Sequence, residues 1–172
     1  MKKIKESEKR NPIILVHGLW NTSSIFSSLI SKLDDIGIEY FAPTLKHSYG
    51  MTSIIDLTHA INESILDKYG LEKELDILGF SMGGIIGRYW IQKFNGYKRT
   101  RRFISIGSPH KGTLMAQLIP KYPFRGISEM KINSCPNSLS SSRTPTLAQS
   151  LIFSIFKKVS IFKNFKDLYV YI

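Results

Sequence analysis

The chain has 172 residues, of which 42% are hydrophobic and 22% are charged. This length and composition are typical of one globular domain with a buried core, and they exclude an intrinsically disordered chain. The single cysteine, Cys135, excludes an internal disulfide framework. The first apolar run, Ile13–Val16, is too short for a signal peptide or a membrane span. We therefore expect one domain over residues 1–172, located in the cytoplasm.

The chain is strongly basic, because 24 lysines and arginines exceed 13 acidic residues and give a formal net charge of +11. The basic residues fall into separate groups at positions 2–10, 98–102 and 157–166 rather than into one block. Such groups form a solvated surface, or they attract an anionic membrane surface. No nucleic-acid-binding motif accompanies them, so nucleic acid is not an expected partner. The sequence does not indicate an oligomeric state.

The first part of the chain alternates strand-like and helix-like segments. Ile13–Val16 is short, uniformly apolar and rich in β-branched residues, which is typical of a strand buried on both faces. Asn21 or Thr22 is expected to cap a helix that ends before Gly37. The apolar face of this helix comprises Ile25, Leu29, Leu33 and Ile36. Residues 38–42 form the second predicted strand.

The same alternation continues through the next segments. A second helix is predicted to start at Thr52 or Ser53. Its apolar face comprises Ile54, Leu57, Ile61, Ile65 and Tyr69. Residues 75–78 and 103–106 are the third and fourth predicted strands, and residues 82–94 form the helix between them. This βαβαβαβ order predicts an α/β fold, with a mostly parallel sheet flanked by helices.

The pattern loosens after residue 113. Prolines and the serine cluster Ser138–Ser142 indicate irregular structure in residues 114–150, interpreted either as a lid over a site or as a plain connection. Residues 151–172 carry apolar side chains at helical spacing, followed by the strand-like run Leu168–Ile172. Basic and aromatic residues alternate in this tail, which suits a core helix or a membrane-surface segment.

The segment with the most chemical information is Gly79-Phe80-Ser81-Met82-Gly83-Gly84, at a predicted strand–helix junction. It predicts a nucleophile elbow, a tight turn that presents the Ser81 hydroxyl at the head of a helix. Side chains two positions to either side would collide with the strained serine, and Gly79 and Gly83 remove them. The helix N-terminus directs free N–H groups and its positive dipole end at Ser81. The alternative is an ordinary strand-to-helix turn.

A second motif, His17-Gly18-Leu19-Trp20, follows the first strand. Acyl transfer passes through a tetrahedral oxyanion that needs two N–H donors. The backbone N–H groups of Met82 and Leu19 are the predicted donors. His17 and Gly18 are interpreted as support for this loop, with the His17 ring bracing it by hydrogen bonding. As a general base, His17 stands in the wrong place in chain order.

Together with Ser108-Pro109-His110-Lys111-Gly112-Thr113, these motifs resemble the three signatures of α/β-hydrolase-fold serine lipases and esterases, more narrowly bacterial triacylglycerol lipase-like proteins. The resemblance covers the well-matched core, residues 11–113. It implies an α/β-hydrolase fold and hydrolysis of an apolar ester or lipid through an acyl-enzyme at Ser81, without a metal or organic cofactor. It also implies a structural hydrogen-bonding role for His110, which is only a fallback base.

The chain departs from this family after Thr113, where family members carry an aspartate and then a histidine. Asp167 is the candidate acid, and the alternative is an ordinary exposed aspartate. No histidine follows His110, so the expected base has no counterpart. We therefore interpret the chain as a C-terminally shortened hydrolase. Because a serine hydroxyl is a weak nucleophile without a base, we expect weak or no activity. The alternative function is a non-catalytic acyl- or lipid-binding protein.

Overall fold

The computed structural model describes residues 10–131 and the backbone of residues 168–171. Its strands are β1 (Ile13–Val16), β2 (Tyr40–Phe41), β3 (Leu75–Phe80), β4 (Thr100–Ile106) and β5 (Leu168–Tyr171). They form one sheet in the order β2–β1–β3–β4–β5. Strands β1 to β4 are parallel, and β5 runs antiparallel to β4. The predicted α/β fold with a mostly parallel sheet is confirmed.

The helices are α1 (Ser27–Asp35), α2 (Ile54–Tyr69), α3 (Met82–Lys93) and two short ones, α4 (Leu114–Gln117) and α5 (Arg125–Ser128). One of the two predicted cap candidates, Thr22, is a cap. The Thr22 hydroxyl accepts from the backbone N–H of Ser24 and begins the 3₁₀ turn that leads into α1. The Ser53 hydroxyl accepts from the N–H of Asp56 and begins α2. None of the described helices combines the length and apolarity needed to cross a bilayer.

The sheet is covered on both faces, which explains why β1 is uniformly apolar and why the central residues of β3 and β4 are mostly apolar. On one face Ile14 and Ile77 pack with the buried side chains of α2 and α3. On the other face Leu15 and Leu78 pack with those of α1. Because successive residues of a strand point to opposite faces, β1, β3 and β4 each contribute to both clusters.

Several boundaries differ from the predictions. Strand β2 is two residues long instead of spanning 38–42, since it lies at the sheet edge and pairs only with Ile13 and Ile14 of β1. Ile36, predicted on the apolar face of α1, is 43% exposed because it lies beyond the last helical residue. Strands β3 and β4 extend beyond the predicted ranges.

The C-terminal run predicted as a strand is β5, and its pairing with β4 is antiparallel. The helix predicted from Ile152, Ile155, Phe156 and Val159 lies outside the described residues. So do residues 132–150 of the predicted lid-like segment and the N-terminal residues 1–9. Residues 114–131 of that segment contain α4 and α5, joined by loops.

Candidate active site

Ser81 occupies the junction between β3 and α3 in a conformation that L-residues rarely adopt. Its φ is 54° and its ψ is −123°, a combination that costs on the order of 1–3 kcal/mol. The turn is fixed from both sides: Ser81 N donates to Ile106 O at 2.8 Å, and Ser81 O accepts from Gly84 N at 3.1 Å. The half-buried Ser81 side chain therefore stands at the first turn of α3, as a nucleophile elbow requires.

The glycines around Ser81 allow α3 to lie against the sheet backbone. A Cβ at Gly83 would lie 2.0 Å from Val16 O, and one at Gly79 would lie 2.4 Å from the Gly84 Cα. The clash with the serine that the sequence analysis gave as the reason for these glycines stays a prediction, because the nearest atoms belong to other residues. The excluded contacts are with backbone atoms of β1 and of α3 itself.

The loop after β1 lies directly beside Ser81. Strands β1 and β3 are parallel, with Val16 paired to Gly79, so both end at the carboxyl edge of the sheet. A Cβ at Gly18 would lie 2.8 Å from the Ser81 Cβ and 3.3 Å from its Oγ. The two motifs that the sequence separates by some sixty residues are thus in van der Waals contact.

The predicted oxyanion donors are Leu19 and Met82. Met82 is the first residue of α3, and Leu19 follows the glycine that contacts Ser81. Within the described part of the chain, neither backbone N–H donates to another group. Both donors are therefore available to a ligand, although their assignment to an oxyanion stays a prediction.

The ring of His17 braces this loop. It is fully buried, and its Nε2 accepts from the backbone N–H of Leu45 at 2.8 Å. The proton therefore resides on Nδ1, which donates to Gly18 O at 2.9 Å. Burial lowers the pKa of His17 from its ordinary value of 6.5, and the hydrogen bond to Gly18 opposes this shift. A neutral imidazole thus ties the loop after β1 to the segment after β2.

His110 is hydrogen-bonded to Ser105 rather than to Ser81. Its Nε2 hydrogen-bonds to Ser105 Oγ at 2.7 Å, and a Cβ at Gly84 would lie 2.2 Å from that same hydroxyl. Burial, with a smaller contribution from the Arg88 guanidinium, lowers the pKa of His110 to about 4. Arg88 Nη1 also donates to His110 O at 3.3 Å. His110 is therefore neutral near pH 7, and its structural role stays a prediction.

The remaining two of the four histidines also have other contacts. His47 Nε2 donates to Asn21 O at 3.2 Å, and the His59 ring lies 4.7 Å from the Phe94 ring, centroid to centroid. Among the described residues, no side chain hydrogen-bonds to Ser81 Oγ. Since all four imidazoles lie in this part of the chain, none is engaged with the candidate nucleophile.

Of the two acidic residues after Thr113, the structure describes only Glu129. Asp167, the candidate acid, lies outside the described residues. Glu129 accepts from Ile54 N at 2.6 Å and so occupies the N-terminus of α2, where the helix dipole favours an anion. The sequence analysis missed this contact, as well as the Ser105–His110 bond. A signal existed only for the buried Arg88, a cation within the otherwise apolar stretch of α3.

A comparison with protein-family models finds one match: the family described as palmitoyl protein thioesterase matches residues 12–167. A search of curated proteins finds no match. Solved structures, in contrast, include many with a similar fold.

A lipase from Bacillus licheniformis is 18% identical with a TM-score of 0.58, and the alignment covers 78% of this chain and 60% of the lipase. A phospholipase from Legionella pneumophila is 16% identical with a TM-score of 0.56, covering 73% of this chain and 32% of the phospholipase. An extracellular α/β-hydrolase from a Paenibacillus species is 20% identical with a TM-score of 0.53, covering 67% and 49%. These similarities show the α/β-hydrolase fold. The chain spans less than two thirds of the length of each of these proteins.

Proposed function

Because the chain belongs to the palmitoyl protein thioesterase family, we propose that it is a serine hydrolase that cleaves an apolar acyl ester or thioester. The observation that carries this proposal is the conformation of Ser81, strained at the head of α3 and in contact with the loop after β1. The substrate is a small-molecule ester or a lipid with a long acyl group, in keeping with the family description.

In the proposed reaction, Ser81 Oγ attacks the acyl carbonyl carbon and forms a tetrahedral oxyanion. The N–H groups of Leu19 and Met82 donate to that oxygen, and losing one such donor costs roughly 3–4 kcal/mol in other hydrolases. Collapse of the intermediate breaks the bond to the alcohol or thiol, which leaves with the proton given up by the serine. Water then hydrolyses the acyl-enzyme, releasing the fatty acid and restoring Ser81.

We further propose that this chain by itself reacts slowly. Each of its four imidazoles has contacts other than Ser81, and His110 in particular is hydrogen-bonded to Ser105. In a serine protease, removing the base costs about as much as removing the whole triad, and a residual acceleration of roughly 10³–10⁴ over water remains. That residual acceleration comes from the oxyanion donors and from substrate binding.

A second candidate function is a non-catalytic acyl- or lipid-binding protein. It is favoured because all four imidazoles have contacts other than Ser81. A site that keeps the two N–H donors without an imidazole at the serine would bind an acyl carbonyl and not turn it over. Both candidate functions need the N–H groups of Leu19 and Met82 as donors to the acyl carbonyl. Only the hydrolase needs Ser81 as a nucleophile.

A fluorophosphonate probe separates the two candidates. A hydrolase becomes covalently labelled, loses labelling in Ser81→Ala, and releases p-nitrophenol from a long-chain p-nitrophenyl ester. Ser64→Ala is the matched control, because Ser64 lies on α2 and its hydroxyl donates to Ala60 O. Saturable binding of a fatty acid without labelling would instead establish the binding protein and contradict the hydrolase.

A further inference from the structure

Large exposed apolar side chains gather at the carboxyl edge of the sheet, around the candidate active site. Leu118 is 80% exposed and Tyr122 is 85% exposed. We use the name apolar rim for this set: Trp20, Tyr49, Met51, Leu114, Met115, Leu118 and Tyr122. Exposed apolar side chains that gather on one surface of a protein often mark a contact with a partner or a membrane.

The segments that carry the apolar rim are locked together, which makes the rim one surface. A Cβ at Gly50 would lie 3.3 Å from Leu19 Cδ1 and 2.5 Å from Ile127 Cγ1, so the segment after β2 lies between the loop after β1 and α5. Thr113 N donates to Met130 O at 2.8 Å and joins the start of α4 to the end of α5. Since Gly18 of the first loop contacts Ser81, the rim borders the nucleophile.

The charges within these segments are almost all positive. Lys46, Lys111, Lys121 and Arg125 are exposed, and Lys131 is partly exposed. Across residues 17–22, 44–53 and 107–131 the single carboxylate is Glu129, which is engaged with the α2 N-terminus. Exposed Asp56 follows on the first turn of α2, so cations outnumber anions at the border of the apolar rim but are not free of them. A protein partner of mixed charge does not need this bias, but an anionic lipid surface does.

We propose that the apolar rim and its lysines bind the surface of a membrane that contains anionic lipid, so that the edge of the sheet that carries Ser81 faces the acyl chains. The inference rests on the proposed function for its choice of acyl substrate, but the binding itself needs no catalysis. The net charge alone predicted attraction to a membrane; the structure gives that attraction a location and an orientation.

Vesicle co-sedimentation of the full chain tests the proposal, comparing vesicles of phosphatidylcholine alone with vesicles that also contain phosphatidylserine. We expect binding to the anionic vesicles and its loss on going from about 0.1 M to about 1 M salt, which shortens the Debye length from about 10 Å to about 3 Å. Lys46→Ala with Lys121→Ala should weaken binding by about fivefold for each charge removed. Met115→Ser with Leu118→Ser should weaken it by at least about tenfold.

Matched controls lie at the opposite, amino edge of the sheet. Leu71, 72% exposed between α2 and β3, serves the apolar pair, and Lys93 with Lys98 serves the charged pair. Leu71→Ser and Lys93→Ala with Lys98→Ala should bind as the parent chain does. Ser81→Ala should also bind fully, which separates failure of this inference from failure of the proposed hydrolysis.

Two results would overturn the inference. One is equal binding of the rim and control variants to anionic vesicles, which would place the membrane contact elsewhere. The other is a chain that does not bind vesicles and instead forms a dimer, detected by light scattering. Met115→Ser with Leu118→Ser would convert this dimer to a monomer. The rim would then be covered by a second copy of the chain.

Discussion

A methyl group added to Gly18 tests the contact on which the candidate site depends. The new Cβ would lie 2.8 Å from the Ser81 Cβ and 3.0 Å from Phe80 O. Carbon atoms in contact are ordinarily about 3.5–4.0 Å apart, so Ser81 or the loop must move by about 1 Å. Because the φ of Gly18 lies outside the left-handed region, backbone strain adds nothing. We expect Gly18→Ala to lower the free energy of unfolding by about 1–3 kcal/mol, the usual cost of overpacking.

A double-mutant cycle isolates the contact from other effects of the methyl group. Ser81→Gly removes the Cβ and Oγ that the new methyl group would meet, so Gly18→Ala should cost about 1–2 kcal/mol less in that background. Urea denaturation followed by circular dichroism gives the four free energies. Gly87→Ala is the control, because its Cβ would lie 3.1 Å from side-chain atoms of Ile77 and Phe103, away from Ser81.

If Gly18→Ala costs the same in both backgrounds to within about 0.5 kcal/mol, the two residues are independent. The loop after β1 would then lie away from the nucleophile, and Leu19 would lose its assignment as an oxyanion donor. An additive result for Gly87→Ala is expected and shows that the cycle reports the local contact only.

Three further predictions concern Ser81, His17 and His110. Ser81→Gly should be more stable than Ser81→Ala by about 1–2 kcal/mol, because glycine relieves the positive φ and alanine does not; equal urea midpoints for the two variants would contradict strain at this turn. His17→Ala should lower the free energy of unfolding by about 2–4 kcal/mol, since it leaves a cavity and leaves the Leu45 N–H without its acceptor. A loss below about 1 kcal/mol in the same assay would show that the hydrogen bond from Leu45 to His17 contributes little to stability. The pKa of His110 is about 4 in the folded chain against an ordinary value of 6.5, so between these values the unfolded chain binds more protons. Stability should therefore rise with pH across that window and be lost as the pH falls through it, and His110→Gln should flatten the dependence; an unchanged slope in denaturation curves recorded across the window would contradict the burial of a neutral ring.

Strands β1, β3 and β4 were predictable because each contains a short apolar run. A strand covered on both faces must be apolar throughout, and Ile13–Val16 was predicted with its observed boundaries. The short edge strand β2 was not, because its length depends on how many residues find a partner on β1. The antiparallel direction of β5 also depends on tertiary pairing, which no local sequence signal records.

The candidate site was predictable to the level of motifs and not to the level of contacts. The elbow and the loop after β1 are encoded locally, so Ser81, Leu19 and Met82 could be singled out from residue type and order. The partners of His17 and Glu129 lie far away along the chain, at Leu45 and Ile54. Such contacts depend on how helices and loops pack. The catalytic roles of Ser81, Leu19 and Met82 stay predictions.

The glycine contacts around α3 also limit how this protein can diverge. Positions 79, 83 and 84 have no room for even one methyl group, because carbonyl groups, main-chain atoms and hydroxyls already fill the space. The outer segments have more room for change, because α4 and the loop after it present Leu114, Met115, Leu118 and Tyr122 to solvent. A library built on those segments, with the inner turn untouched, is the economical starting point for re-engineering what the chain recognises.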